Sequence, residues 1–375
     1  MSTQKSHRHL DALQSLRGIA ALIVLLRHVM ICYPSEGIIR NHFIDVALNS
    51  HAAVVIFFVL SGFVLSISIE NTKIDIHSTI VFWIRRVFRI LPALMFVTFL
   101  SIIFTKISLS SLPTPGSSDF MEGLLPHNLT TSSVGVIKSF LGLASTYVPQ
   151  NWTITVELIM AVLFPLLVSL TRSFSNGVYW LLFTGIIVTC TAGEGGKWLP
   201  PFYGMDFILG IAVYRFWNSS LWRPSVLATV LSVAILCGAS SFITEIVGHS
   251  LPFHYATTSI IEGFAASFVV LSLTDHDKVA RYLSVRPLIV LGDLSFSLYL
   301  VHFLVVSILG RVFAPFLLNY TSFERALIMA AATLLVTLPI SWFIFRGIEI
   351  PFNRLGKKLS GDFLNLIRKR SHATY

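Results

Sequence analysis

Ten apolar stretches, most near the roughly 20 residues that a helix needs to cross hydrocarbon, follow one another along this chain. They run at about 15–33, 52–70, 88–107, 153–171, 178–193, 202–217, 224–244, 256–273, 288–310 and 323–345. The fifth and sixth are the shortest. A further stretch, Val134 to Thr146, is too short to cross and reads as lying on the surface or re-entering. Lipid offers no partners to backbone N–H and C=O groups, so only helices or closed barrels span it. Composition agrees, because only 12% of the 375 residues are charged, against about 25% in an ordinary soluble domain. The expected fold class is all-α, a polytopic membrane protein of about ten transmembrane helices.

Lysine and arginine set the orientation, since they gather in cytoplasmic loops. With the N-terminus inside, nineteen fall in inner segments, six in outer loops and two, Arg17 and Arg27, in the first span. The alternation favours an even number of spans and puts both termini on the cytoplasmic side. No loop has room for a second folded unit. The chain therefore reads as one transmembrane domain, 1–375, with a core of about 11–356 and a basic cytoplasmic tail at 357–375. The longest loop, about 108–152, lies outside and is rich in Ser, Pro and Thr. A net charge of +9 does not point to nucleic acid, because the basic residues are dispersed among short loops rather than gathered on one soluble face. No cleavable signal is evident at the N-terminus. Cys32, Cys190 and Cys237 are odd in number and form no CxxC pair, so neither a disulfide framework nor a metal site is expected. Cys32, four residues after His28, reads as a buried, inert thiol.

Ionisable groups inside spans are costly and mark function. Arg17 and His28 are eleven residues apart, three helical turns plus about 20° and about 16 Å of rise. They share one face of the first span. Glu157 enters from outside a little over one turn into the fourth span. His302 lies about 14 residues into the ninth, or about 21 Å from its inner end. The three groups His28, Glu157 and His302 are thus expected at one depth in the outer half. A lone intramembrane histidine can equally be an interhelical hydrogen-bonding residue. Tyr299, Trp152 and Ser295 read as packing or interface residues, and Arg85, Arg86 and Arg89 as a positive-inside anchor that could also hold phosphates bidentately.

Six segments in order resemble the membrane-bound acyltransferase 3 family, bacterial O-acyltransferases of surface and secreted glycans. LRGIAALIVLLRH carries Arg17 and His28 in the family's R-x10-H pattern. FFVLSGFVLS (57–66), RRVFRILPA (85–93), WTITVE (152–157), LGDLSFSLYLVH (291–302) and IEIPFNRLGKKL (348–359) follow. One departure stands after Glu157, where the family usually shows Phe-Tyr and this chain has Leu158 to Ala161. Many members also carry an extracytoplasmic hydrolase-like domain for which this sequence holds no segment, so transfer is expected to be completed by the membrane domain or handed to a separate protein. The resemblance implies residence in the bacterial cytoplasmic (inner) membrane. It implies acyl-CoA, acetyl-CoA foremost, as co-substrate with no tightly bound cofactor, and a carbohydrate acceptor that could be lipid-linked.

On that basis the expected catalytic groups are His28, Glu157 and His302, and the expected CoA-phosphate ligands are Arg17, Arg85, Arg86 and Arg89. His28 would serve as general base or acyl carrier, Glu157 would orient an imidazole as triad carboxylates do, and His302 would be a second base or bind acceptor. Two rival readings stay open at this point: a transporter or flippase of a lipid-linked sugar, and an acyltransferase acting on a small molecule.

Overall fold

The computed structural model describes residues 3–34, 38–70, 72–173, 176–194, 200–219, 224–247, 254–274 and 277–373. Its helices are α1 (Thr3–Cys32), α2 (Ile38–Ala47), α3 (Ser50–Ile69), α4 (Ile76–Lys106), α5 (Asp119–Glu122), α6 (Ser133–Phe140), α7 (Asn151–Ser173) and α8 (Gly177–Glu194). They continue as α9 (Gly204–Ser219), α10 (Val226–Val247), α11 (His254–Leu273), α12 (Asp277–Leu283), α13 (Arg286–Phe313), α14 (Ser322–Ile344) and α15 (Ile350–Ala373). Each of the ten expected spans falls on one helix, and no strand occurs among the described residues. Among the described residues, eight candidate spans are long and apolar enough to cross a membrane. The apolar part of α8, Gly177–Ala192, and α9 are shorter. Two positions in the charge count, Lys197 and Arg223, lie outside the described residues.

Three boundaries differ from the sequence reading, each for a local reason. First, α4 starts twelve residues before the expected 88, because Asp75 caps it: the Asp75 carboxylate accepts from Ser78 N–H at 2.8 Å and Ser78 Oγ lies 3.0 Å from Asp75 N. Arg85 and Arg86 therefore sit, with Arg89, within a long helix rather than in a loop before it. Second, residues 357–373 of the supposed tail at 357–375 continue the last described helix. A π-turn over Phe345–Glu349 joins α14 to α15, and α15 packs along α4, where Gly356 faces Phe88. Third, the segment after α6 turns inward. Gln150 Nε2 donates to the carbonyls of Tyr299 and Leu300 at 2.8 and 2.7 Å, in the middle of α13.

Backbone-close crossings organise the bundle. Small residues allow such approach where lipid supplies no hydrophobic force between helices. A Cβ at Gly18 would stand 2.6 Å from Gly292 N, and one at Gly292 would overlap the Gln14 carbonyl, so α1 and α13 meet main chain to main chain. Gly62 and Gly210 do the same for α3 and α9. The long loop before α7 caps the C-terminal end of α1: Ser118 N donates to Cys32 O at 2.9 Å. The buried guanidinium of Arg311 gathers the carbonyls of Ser110 and Leu124, each at 3.0 Å.

Candidate active site

The α1–α13 seam brings two of the expected residues into contact. His28 Nδ1 and His302 Nε2 are 3.2 Å apart, with rings stacked at 5.2 Å and 18°. The partners fix the protons. His302 Nδ1 lies 2.6 Å from the Tyr299 carbonyl, which can only accept, so His302 Nδ1 carries hydrogen. Neutral His302 then presents a lone pair at Nε2, and His28 Nδ1–H donates to it. What remains is the lone pair of His28 Nε2. His302 is fully buried, whereas His28 lines a cavity of about 430 Å³ with His51, Phe120, Trp152, Tyr203 and Tyr299. Phe303 and Phe120 flank the His28 ring at 4.4 and 6.4 Å. Cys32 packs with Tyr33 and Met121 in an apolar cluster, as a buried thiol should.

The four expected arginines also come together, at a second cavity of about 600 Å³. Arg17 of α1 and Arg85, Arg86 and Arg89 of α4 line it, joined by Lys73 and by Lys357 of α15. Arg85 Nε is held at 2.9 Å by Ser360 Oγ of α15, so the last helix forms a wall of this cavity. At its rim, hydrogen bonds from Ser78, the backbone N–H foremost, hold the exposed Asp75 carboxyl below its ordinary range.

Glu157 does not join the histidines. It pairs with Arg86 in the basic cavity, which corrects the expected single layer of three groups. The inward turn before α7 explains the displacement. Because Gln150 is bonded at the level of Tyr299, α7 begins deep in the bundle, and Glu157 lies about 9 Å further on at 1.5 Å per residue. Counting from a presumed membrane surface placed it too near His302.

A narrow space of about 50 Å³ lies between the cavities. It shares Arg17 and Glu157 with the basic one and Val54 and Tyr299 with the other, and Ser61 and Ser295 line it. Tyr299, Trp152 and Ser295, read from sequence as packing residues, all face this system. Sequence reasoning missed His51, which lay just outside an expected span. It also passed over Glu262, an acid inside the span 256–273 that the cost of intramembrane charge should have flagged.

Residues 10–346 match the family described as an acyltransferase domain. Similar curated proteins include "Acyltransferase MdmB" of Streptomyces mycarofaciens, 29% identical over 79% of this chain and 79% of that one. "O-acetyltransferase OatA" of Staphylococcus aureus is 23% identical over 98% of this chain and 60% of its own length. "Peptidoglycan O-acetyltransferase OatA" of Listeria monocytogenes is 24% identical over 95% and 57%. The chain thus spans less than two thirds of either OatA protein. No solved structure matches.

Proposed function

The chain belongs to the acyltransferase family matched over residues 10–346, and from that premise we propose that it moves an acetyl group from acetyl-CoA to a hydroxyl of a carbohydrate. Membership sets aside the transporter reading. The observation that carries the proposal is the pair of cavities on either side of one narrow space along one face of α1, with Arg17 at one and His28 at the other. The excess of inner Lys and Arg faces the basic cavity to the cytoplasm. Guanidinium groups suit phosphate oxygens, which they can grip bidentately. About 50 Å³ between the cavities is too little for a nucleotide, and the Arg17-to-His28 rise of about 16 Å matches the reach of an extended pantetheine. Carbohydrate as acceptor is supported by the peptidoglycan named for the Listeria relative.

The chemistry follows from His28 Nε2. It takes the proton of the acceptor hydroxyl while that oxygen attacks the thioester carbonyl. The C–S bond then breaks, and the thiolate receives the proton from Nε2–H. During the interval His28 is an imidazolium, and its Nδ1–H bond to His302 becomes charge-assisted and stronger. His302, pinned by the Tyr299 carbonyl, is a positioning residue. Glu157 balances Arg86 rather than an imidazole. The test is acetyl-CoA consumption by membranes carrying the protein, with and without a glycan extract. Acceptor-dependent turnover lost in His28→Ala supports the reading, and equal turnover in wild type and variant refutes it.

A further inference from the structure

One polar centre outside the mechanism above is closed on itself. His51 Nδ1 lies 2.5 Å from Glu262 Oε2 and its Nε2 lies 3.2 Å from the Tyr203 hydroxyl, so both ring nitrogens are taken. A second centre, at the end of the bundle that carries the arginines, is open. It is a cavity of about 290 Å³ between α1, α13 and the start of α15. Arg17 and Arg89 line it as they line the basic cavity, so the two spaces share these guanidinium groups as a wall.

Their linings differ in charge. The basic cavity sets six Lys and Arg side chains against the carboxylates of Asp75 and Glu157. The smaller one sets Arg17 and Arg89 against Asp293 and Glu349, and its other polar groups are the amides of Gln14 and Asn353. Phosphate is drawn to the first lining and gains nothing from the second. Gln14 Nε2 donates to Asp293 Oδ1 at 3.0 Å, which holds that carboxylate across the α1–α13 seam and leaves its second oxygen for another donor. Glu349 is buried and accepts from Ser297 Oγ, so it adds charge rather than a free contact. Phe296 and Phe345 supply two rings. Asp293, Phe296, Phe345 and Asn353 all keep part of their surface. Phe345 and Glu349 are the two ends of the π-turn, an irregularity frequent at functional sites. Beyond it α15 serves both spaces: Asn353 lines the smaller, and Lys357, one turn on, lines the basic one.

A ligand that meets both linings has phosphates on one side of the shared arginines. On the other it has an uncharged planar group that donates N–H to a carboxylate and pairs with amides. We propose that the smaller cavity is the base subsite of the donor and takes the adenine ring of acetyl-CoA. Asp293 accepts from the exocyclic amine, Asn353 pairs with a ring nitrogen, and Phe296 and Phe345 pack against the purine. The phosphates stay with Arg17, Arg89 and the cations of the basic cavity. The inference rests on acetyl-CoA being the donor and names how its base is chosen.

The full chain in membranes is assayed with acetyl-CoA and with its analogue carrying hypoxanthine, which presents a ring carbonyl where adenine has the amine. Wild-type kcat/KM should favour acetyl-CoA by about 10- to 100-fold, the loss of one hydrogen bond to a charged group. In Asp293→Asn the carboxamide can donate to that carbonyl. The preference should then fall below about threefold or reverse, a change that damage to the fold would not produce. Asn353→Ala keeps the test open if Asp293→Asn does not fold. It should raise the KM for acetyl-CoA about three- to tenfold more than the KM for acetyl-phosphopantetheine, which has no base. Equal use of the two CoA forms by wild type, an unchanged preference in Asp293→Asn, or equal KM shifts in Asn353→Ala would overturn the subsite while leaving the acetyltransferase intact. Wild-type turnover no greater than that of His28→Ala overturns both.

Discussion

The two ends of the cavity system are built on opposite plans. At the histidine end, the two imidazoles meet on one seam where α1 and α13 touch through Gly18 and Gly292, and the second imidazole has no exposed surface at all. At the basic end, long cationic side chains from α1, α4 and α15 reach into a wider space, with one of them tied to Glu157. Rigid packing suits proton transfer, which depends on tenths of an ångström. Several cationic groups around a wider space suit a highly charged ligand that must enter and leave. Damage at the first end should therefore appear in kcat, and damage at the second in KM.

The sharpest challenge to that division is His28→Ala. Loss of a general base should cost about 10²- to 10⁴-fold in transfer, read as kcat at saturating acetyl-CoA. Next comes His302→Ala, which removes one charge-assisted hydrogen bond and should cost about 10- to 100-fold in kcat, with the acetyl-CoA KM near wild type. A His302 variant with normal kcat would show that the seam does not position the base. Gly292→Val tests the seam itself. Overpacking of about 1–3 kcal/mol should lower the Tm in detergent and reduce kcat together, whereas an unchanged Tm would mean the helices part without strain.

Arg85→Ala and Arg89→Ala should each raise the acetyl-CoA KM roughly three- to tenfold, as expected for single solvent-accessible ionic contacts, with kcat held. A kcat effect there would break the comparison. The smallest effect belongs to Asp75→Ala. The Asp75 carboxyl is held below its ordinary value of 3.8, so its contribution is present above that value and disappears as pH falls through the folded-state pKa. The variant should show a slightly lower Tm at neutral pH, and the difference from wild type should close in acid. A difference that persists in acid would remove the cap from the account.

Much of this was readable along single helices. Arg17 and His28 share a face because 3.6 residues make a turn, and that holds for any helix containing them. Their assignment to separate cavities along one line follows the same rise. What crossed between helices was less accessible. The approach of His302 to His28 depends on two glycines far apart in the chain. Glu157 was misplaced because an irregular segment carries the start of α7 inward to Tyr299. Such a segment has no periodicity to read. His51 and Glu262 are 211 residues apart, and neither position alone announces the other.

The sequence by itself determined the membrane class, the helices on which the apolar stretches fall, the face shared by Arg17 and His28, and the arginine cluster. All are properties of composition and helical repeat, which act locally. Only the tertiary structure decided that Glu157 serves Arg86, that His302 orders the proton on His28, that α15 walls the basic cavity, and that His51 stands on Glu262. Those relations depend on which helices touch and at what height. Close packing between distant segments sets both.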